Sequence, residues 1–213
     1  MPIHKIIHLN ATTSIYIWKI EEEFNTLFRA TPLKDNSLAR VESMKDVKHQ
    51  KGFLSIRHLL KIAGYDDFDL FYDEKGKPHL KDGKEISITH SFDFSAIIVS
   101  DKKVGIDIEL RRDKVQLIAK KFVDIEFNYI QKDDKQYTNL LTVVWGAKES
   151  IYKLYNQKGL FFIENIIVHP FKMIDDKGTA EVNYKNRKSL YNFAFEEIEN
   201  YTLVYALEQV ENA

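Results

Sequence analysis

From Val104 to Leu110 the chain alternates without a break: Val104, Ile106, Ile108 and Leu110 fall on one side, Gly105, Asp107 and Glu109 on the other. That is the period of a β-strand with one covered face. Short runs rich in β-branched and aromatic residues predict further strands at 15–20, 69–72, 85–89 and 95–100, with a Gly-Pro turn signal in "YDEKGKPHL" ahead of the third. Only Asp101 to Lys103 separates 95–100 from 104–110, so these two predict a hairpin with its tip there. Helical periodicity covers 42–63, stopping at Gly64, then a basic amphipathic stretch at about 113–122 and a long helix at about 134–157. Four strands follow, at 161–168, 179–185, 191–197 and 201–208. Strands and helices interleave without regular βαβ alternation, which predicts an α+β fold. No Pro/Gly/Ser-rich linker divides the chain, yet each half offers a helical stretch and then a few antiparallel strands. The expectation is two similar α+β lobes, residues 1–102 and 103–213, each a small antiparallel sheet packed with helices.

The long helix carries an irregularity. Tyr137, Leu140, Leu141, Val144, Trp145, Tyr152 and Tyr155 follow the i, i+3, i+4, i+7 rule, and the gap in that stripe is filled by Lys148 and Glu149. Glu149 and Lys153 stand at i, i+4 and form a favourable surface pair, and Lys148 has a stem long enough to reach water, so a structural reading exists. The other reading is that the helix passes under a cleft. Buried charges are costly unless paired, so an ammonium and a carboxylate in an apolar stripe call for a partner.

Composition narrows the classes. With 213 residues, 44% of them hydrophobic, the chain is long enough for a buried core, and 31 basic against 32 acidic side chains leave a formal charge of -1. No global field favours nucleic acid or an anionic membrane, so neither is expected as a partner. The absence of cysteine removes disulfides, thiolate nucleophiles and cysteine zinc sites together. Neither a signal peptide nor a membrane-spanning stretch is evident, and a cytoplasmic protein is expected.

In the alternating strand, Asp107 and Glu109 project from one face roughly 7 Å apart, given a rise of about 3.3 Å per residue. A hard divalent cation such as magnesium takes one or two carboxylates plus phosphate oxygens and water, which such a pair can supply; a solvated outer face is the plainer alternative. Gly105 beside them marks a close approach of ligand or backbone. Upstream, Gly76-Lys77-Pro78 presents a lysine on a turn, and Thr89, His90 and Ser91 end a strand with hydroxyl and imidazole donors suited to a phosphate. His4 and His8 share i, i+4 spacing but lack the glutamate of a metalloprotease helix, and their context is a strand. Phe92, Phe94, Phe161 and Phe162 are candidates both for the core and for a protein contact.

In order, Gly76-Lys77-Pro78, Ile88-Thr89-His90-Ser91, Gly105-Ile106-Asp107-Ile108-Glu109 and Trp145-Gly146-Ala147-Lys148-Glu149-Ser150 with Lys153 resemble the 4′-phosphopantetheinyl transferase superfamily, in its two-lobed, surfactin-synthetase-activating type. The resemblance runs over about residues 48–160. It implies a monomeric pseudo-dimer of two α+β lobes with coenzyme A between them. It also implies magnesium-dependent transfer of the phosphopantetheine arm to a serine of an apo acyl or peptidyl carrier protein, with release of adenosine 3′,5′-bisphosphate.

Carried over by position, Asp107, Glu109 and Glu149 would hold the metal, with Glu149 otherwise the base that takes the serine proton. Lys148 and Lys153 would steady the pyrophosphate. Lys77, Thr89 and His90 would meet the adenosine end, and the basic stretch "VKHQKGFLSIR" adds Lys48, Lys51 and Arg57. In "KFVDIEF" the acid expected of the family stands one position early, at Glu126, with Asp124 a substitute. Arg111, Arg112, Lys114, Lys120 and Lys121 form a basic patch suited to an acidic carrier. Metal-dependent hydrolysis of coenzyme A and a catalytically silent carrier-binding protein are the competing readings.

Overall fold

The computed structural model describes residues 3–209. They divide into two compact units that meet at the Lys102–Lys103 peptide.

In the first unit, β1 (Lys5–His8) and β2 (Ser14–Lys19) are followed by α1 (Phe24–Arg29), α2 (Asp35–Ser43) and α3 (Val47–Ile62). Then come β3 (Leu70–Tyr72), β4 (Pro78–Leu80), β5 (Glu85–Ser91) and β6 (Phe94–Ser100). The strands form one antiparallel sheet in the order β1-β2-β6-β5-β4-β3. The single helix expected over 42–63 is two, because the Asp46 side chain accepts the Lys48 N–H at 2.8 Å and starts α3 afresh. Trp18, Leu27, Leu54, Leu59, Ile86 and Ile97 are among the residues of the core that α3 shares with the sheet.

The second unit opens with β7 (Val104–Leu110), α4 (Lys114–Ile118), the long α5 (Tyr137–Tyr155) and α6 (Phe162–Asn165), and closes with β8 (Ile166–Val168), β9 (Lys177–Tyr184), β10 (Arg187–Ile198) and β11 (Tyr201–Glu208). Its antiparallel sheet runs β7-β11-β10-β9-β8. Val144, Ala147, Ile151 and Leu154 of α5 meet Tyr191, Phe193 and Val204 of the sheet in its core. Tyr152, placed in the buried stripe by periodicity, is exposed instead, and Ile151 takes its place.

The two plans coincide. In each unit a strand, then a long helix, then a meander of four strands closes by pairing its last strand with the first, β6 with β2 and β11 with β7. β1 is an addition to the first. The α+β class and the two similar sheets therefore agree with the expectation, although no residue-level repeat is visible in the sequence.

Two expectations about strands fail. Residues 95–100 and 104–110 do not form a hairpin, because both edges of β6 are taken by β2 and β5 and β7 pairs with β11 in the other sheet. Residues 161–165 are likewise not strand: Asn165 Oδ1 accepts the Phe161 N–H at 2.8 Å and closes the turn of α6 before β8 begins. Among the described residues no helix is long and apolar enough to cross a membrane.

Candidate functional site

Two glycines bring α5 down onto β7 and β11. A Cβ at Gly105 would stand 1.8 Å from the Ser150 carbonyl oxygen, and one at Gly146 would stand 2.6 Å from Val204 Cγ2. What approaches Gly105 is thus backbone rather than ligand. The Ser150 hydroxyl, within the same motif, donates to the Val204 carbonyl at 3.0 Å and fixes the helix lengthwise.

That contact covers the face of β7 from which Asp107 projects, and Asp107 is only 5% exposed. The outer face of the strand is therefore not solvated. Lys153, one turn beyond Glu149, donates to Asp107 Oδ1 at 2.7 Å and to the Ile106 carbonyl at 2.9 Å. The i, i+4 pair of Glu149 with Lys153 gives way to this link between helix and strand. Glu109, nearer the end of β7, accepts the Trp145 indole N–H at 3.2 Å.

Glu149 leaves α5 into a recess of about 610 Å³ walled by Trp145, Tyr152, Leu160, Phe161 and Phe162, with Lys121 at its side. Removal from water raises its carboxyl to about 7, helped by the negative charges of Asp107 and Glu109 and opposed by Lys153. Three carboxylates thus act on one another electrostatically at the junction of β7 and α5. Among the described residues no three His, Cys, Asp or Glu side chains stand in a ready metal-binding group. The Lys153 ammonium is what balances Asp107 here.

Lys148 is not in this cluster, a correction to the expectation that it faces the cleft with Glu149. A neighbour on a helix turns about 100° away, and the Lys148 ammonium lies 2.7 Å from Glu126 Oε1, both side chains 1% exposed. It also donates to the Phe162 carbonyl at 3.2 Å. Burial lowers its pKa, and the Glu126 carboxylate opposes that shift. Glu126 in turn accepts the N–H groups of Val168 at 3.0 Å and Asp124 at 3.2 Å. Glu126, expected beside Asp107 and Glu109 or as a base, is therefore brought to Lys148 instead. Asp124 is exposed and meets Glu126 through its backbone.

In the first unit the expected residues separate into two groups. His90, exposed on β5, has its ring against Gly52, where a Cβ would come within 3.1 Å of Nδ1. The His49 ring is centred 6.3 Å from it. Thr89, beside it, is buried. The Lys48 ammonium lies 5.7 Å from the centre of the Phe92 ring, and Lys51 is half-buried on the next turn of α3. His49 was not among the expected residues, although a glycine inside a helical stretch, Gly52, is a sign of close packing.

Arg57 corrects the expectation of a nucleotide contact. It is buried, with Nε 2.9 Å from Asp67 Oδ1, Nη1 donating to the Phe53 carbonyl at 3.2 Å, and the guanidinium 3.4 Å over the Phe53 ring. It ties α3 to the loop before β3. Lys77 is ion-paired with Glu85 at 2.9 Å, and its turn is closed by Asp73 Oδ1, which accepts the N–H of both Lys75 and Lys77. Of the basic patch, Arg111 donates to the carbonyls of Tyr201 and Glu199 and so holds the β10–β11 turn, while Arg112, Lys114, Lys120 and Lys121 are exposed.

The chain is 27% identical over 161 residues to the 4′-phosphopantetheinyl transferase gsp of Aneurinibacillus migulanus, a stretch covering 73% of this chain and 65% of that protein. It is 26% identical over 117 residues to enterobactin synthase component D of Salmonella typhi, covering 54% of this chain and 50% of that one. The matched stretch thus spans between half and two thirds of these relatives. Residues 103–206 match the model of the 4′-phosphopantetheinyl transferase superfamily. The stretch matched by that superfamily's model lies within the second unit, the one in which Asp107, Glu109, Glu149 and Lys153 meet at the junction of β7 and α5.

Proposed function

We propose that this protein moves the 4′-phosphopantetheine arm of coenzyme A onto a serine hydroxyl of an acyl or peptidyl carrier protein. The observation that carries the reading is the junction of β7 and α5, where Lys153 holds Asp107 and a carboxyl lifted to about 7, Glu149, opens into a recess. The serine oxygen attacks the phosphorus that bears the pantetheine. The bond from that phosphorus to the bridging oxygen breaks, and adenosine 3′,5′-bisphosphate leaves with the electron pair.

Lys153 is a fixed cation at the place where the pyrophosphate's charge must be offset, and such preorganised charge is the larger part of stabilisation in this chemistry. Glu149, with its high proton affinity, is the group suited to take the serine proton, a contribution of about 10²–10⁴ in rate. The donor set Asp107, Glu109 and Glu149 is all carboxylate, which fits magnesium in kind. Those residues would hold it, and when bound it would offset charge on the phosphate oxygens. Loss of turnover in Glu149→Gln at unchanged magnesium affinity identifies the base; loss of the affinity itself identifies a ligand. The exposed Arg112, Lys114, Lys120 and Lys121 face an acidic carrier.

The test is the intact mass of an apo carrier protein after incubation with this protein, coenzyme A and magnesium, with a chelator control. A gain of one phosphopantetheine that the chelator abolishes is the expected result. Release of adenosine 3′,5′-bisphosphate with no carrier present would instead mark a hydrolase.

A further inference from the structure

Phe94, the first residue of β6, is fully buried, as a phenylalanine ordinarily is. Phe92 at the turn itself is 41% exposed and belongs to neither hydrophobic core. Its backbone is held at φ +49°, the left-handed region that an L side chain enters only at a cost and that a bulky residue rarely occupies. Asn, Asp or Gly would sit there with less strain, and the ring lies outside both hydrophobic cores.

Its surroundings are cationic and aromatic. The Lys48 ammonium, on the first turn of α3, is 5.7 Å from the centre of the ring. Two residues before it, His90 is pressed against Gly52 with the His49 ring 6.3 Å away. An aromatic face beside an ammonium, on a turn that follows a strand whose His90 meets His49, matches a phosphorylated aromatic base, which needs a π surface for the ring and donors for the phosphate.

We propose that Phe92 is the stacking platform for the purine base of coenzyme A, set at the tip of the β5–β6 turn and steadied by Lys48. This rests on the transferase reading above and adds a specificity-determining residue to it. The strained backbone is the cost of turning the ring outward, and it is retained because the ring is used. Base stacking on one aromatic side chain is worth about 5- to 150-fold in affinity.

The experiment compares wild type with Phe92→Leu, Phe92→Tyr and Phe92→Gly in the carrier mass assay, with Tm measured alongside. Phe92→Leu is expected to raise the KM for coenzyme A about 10-fold, with the loss falling on that KM and not on kcat or the KM for the carrier. Phe92→Tyr restores it. Phe92→Gly shows the same KM loss without a fall in Tm, because glycine relieves the positive φ. An unchanged KM in Phe92→Leu overturns the proposal while leaving the transferase reading intact. Should wild type transfer nothing, that reading fails by itself. Calorimetry with adenosine 3′,5′-bisphosphate then decides this one: weaker binding by Phe92→Leu upholds it, and equal or absent binding in both proteins overturns it.

Discussion

Replacing Lys148 by methionine separates two roles for this residue. The side chain is close in volume and flexible enough to fill the same space, so the change removes charge and leaves little cavity. At 2.7 Å the ion pair with Glu126 has a Coulomb attraction of roughly 6 kcal/mol at an effective dielectric of 20, which the desolvation of two ions largely cancels. The intact pair is thus near break-even, but a half pair is not. With Lys148 gone, Glu126 is left 1% exposed without its counter-ion, a loss of about 3–5 kcal/mol. The N–H groups of Val168 and Asp124 still reach its two oxygens, so the low end applies. About 3 kcal/mol corresponds to roughly 6–12 °C in Tm for a chain of this size. Adding Glu126→Gln removes the orphaned charge and is expected to recover about 2 kcal/mol, read as the coupling energy of a double-mutant cycle by near-ultraviolet circular dichroism. A Lys148→Met protein whose Tm stays within about 2 °C of wild type while transfer disappears would refute this reasoning. Lys148 would then be reserved for the substrate.

The other outcomes are read by similar means. Gly105→Ala pushes a methyl into the Ser150 carbonyl and is expected to prevent stable folding of the second unit, seen as loss of soluble protein or a Tm fall of about 10 °C or more. For Glu149 the sign follows from a folded pKa of about 7, raised above the unfolded value: its stability contribution is complete below about pH 4.5 and is lost as pH rises through about 7. Without metal, Glu149→Gln is therefore expected to raise Tm at pH 8 and to change it little at pH 5; the reverse order contradicts the shift. Lys114→Glu with Lys120→Glu is expected to raise the KM for an acidic carrier about 10-fold at low salt and to leave that for coenzyme A unchanged, since neither lysine lines the recess at Glu149. Reversing Arg111 is expected to act on Tm instead, since its guanidinium is engaged with the β10–β11 turn.

The alternation at 104–110 and the periodicity of α5 were legible because each is a local pattern imposed by one face of burial. So were the acids on β7. What joins them was not: that Lys153 reaches Asp107 and Lys148 reaches Glu126 follows from how α5 crosses the sheet, and that crossing is set by a glycine on each element. Proximity in sequence misled where pairing is non-local. Residues 95–100 and 104–110 look like hairpin partners, yet β7 finds its partner in β11, about ninety residues on. Arg57 was read as a nucleotide contact and Arg111 as part of a carrier-facing patch, because basic residues are usually exposed. Nothing in their neighbourhoods announced that Asp67 and the carbonyls of the β10–β11 turn would claim them.

The pairing of first strand with last in each unit also sets an order of birth. The first sheet has every strand it needs once Ser100 has left the ribosome, whereas β7, although next to emerge, has no partner until β11 follows it. Asp107 must wait for Val204 opposite it, and Glu109 for Thr202. At about 5–20 residues per second the nascent chain spends some five to twenty seconds with its acidic strand made and unpaired, beside a finished first unit. Slow codons placed between the two units would change little, but any that delay β9 to β11 would lengthen the interval in which an apolar edge strand is open to the wrong neighbour.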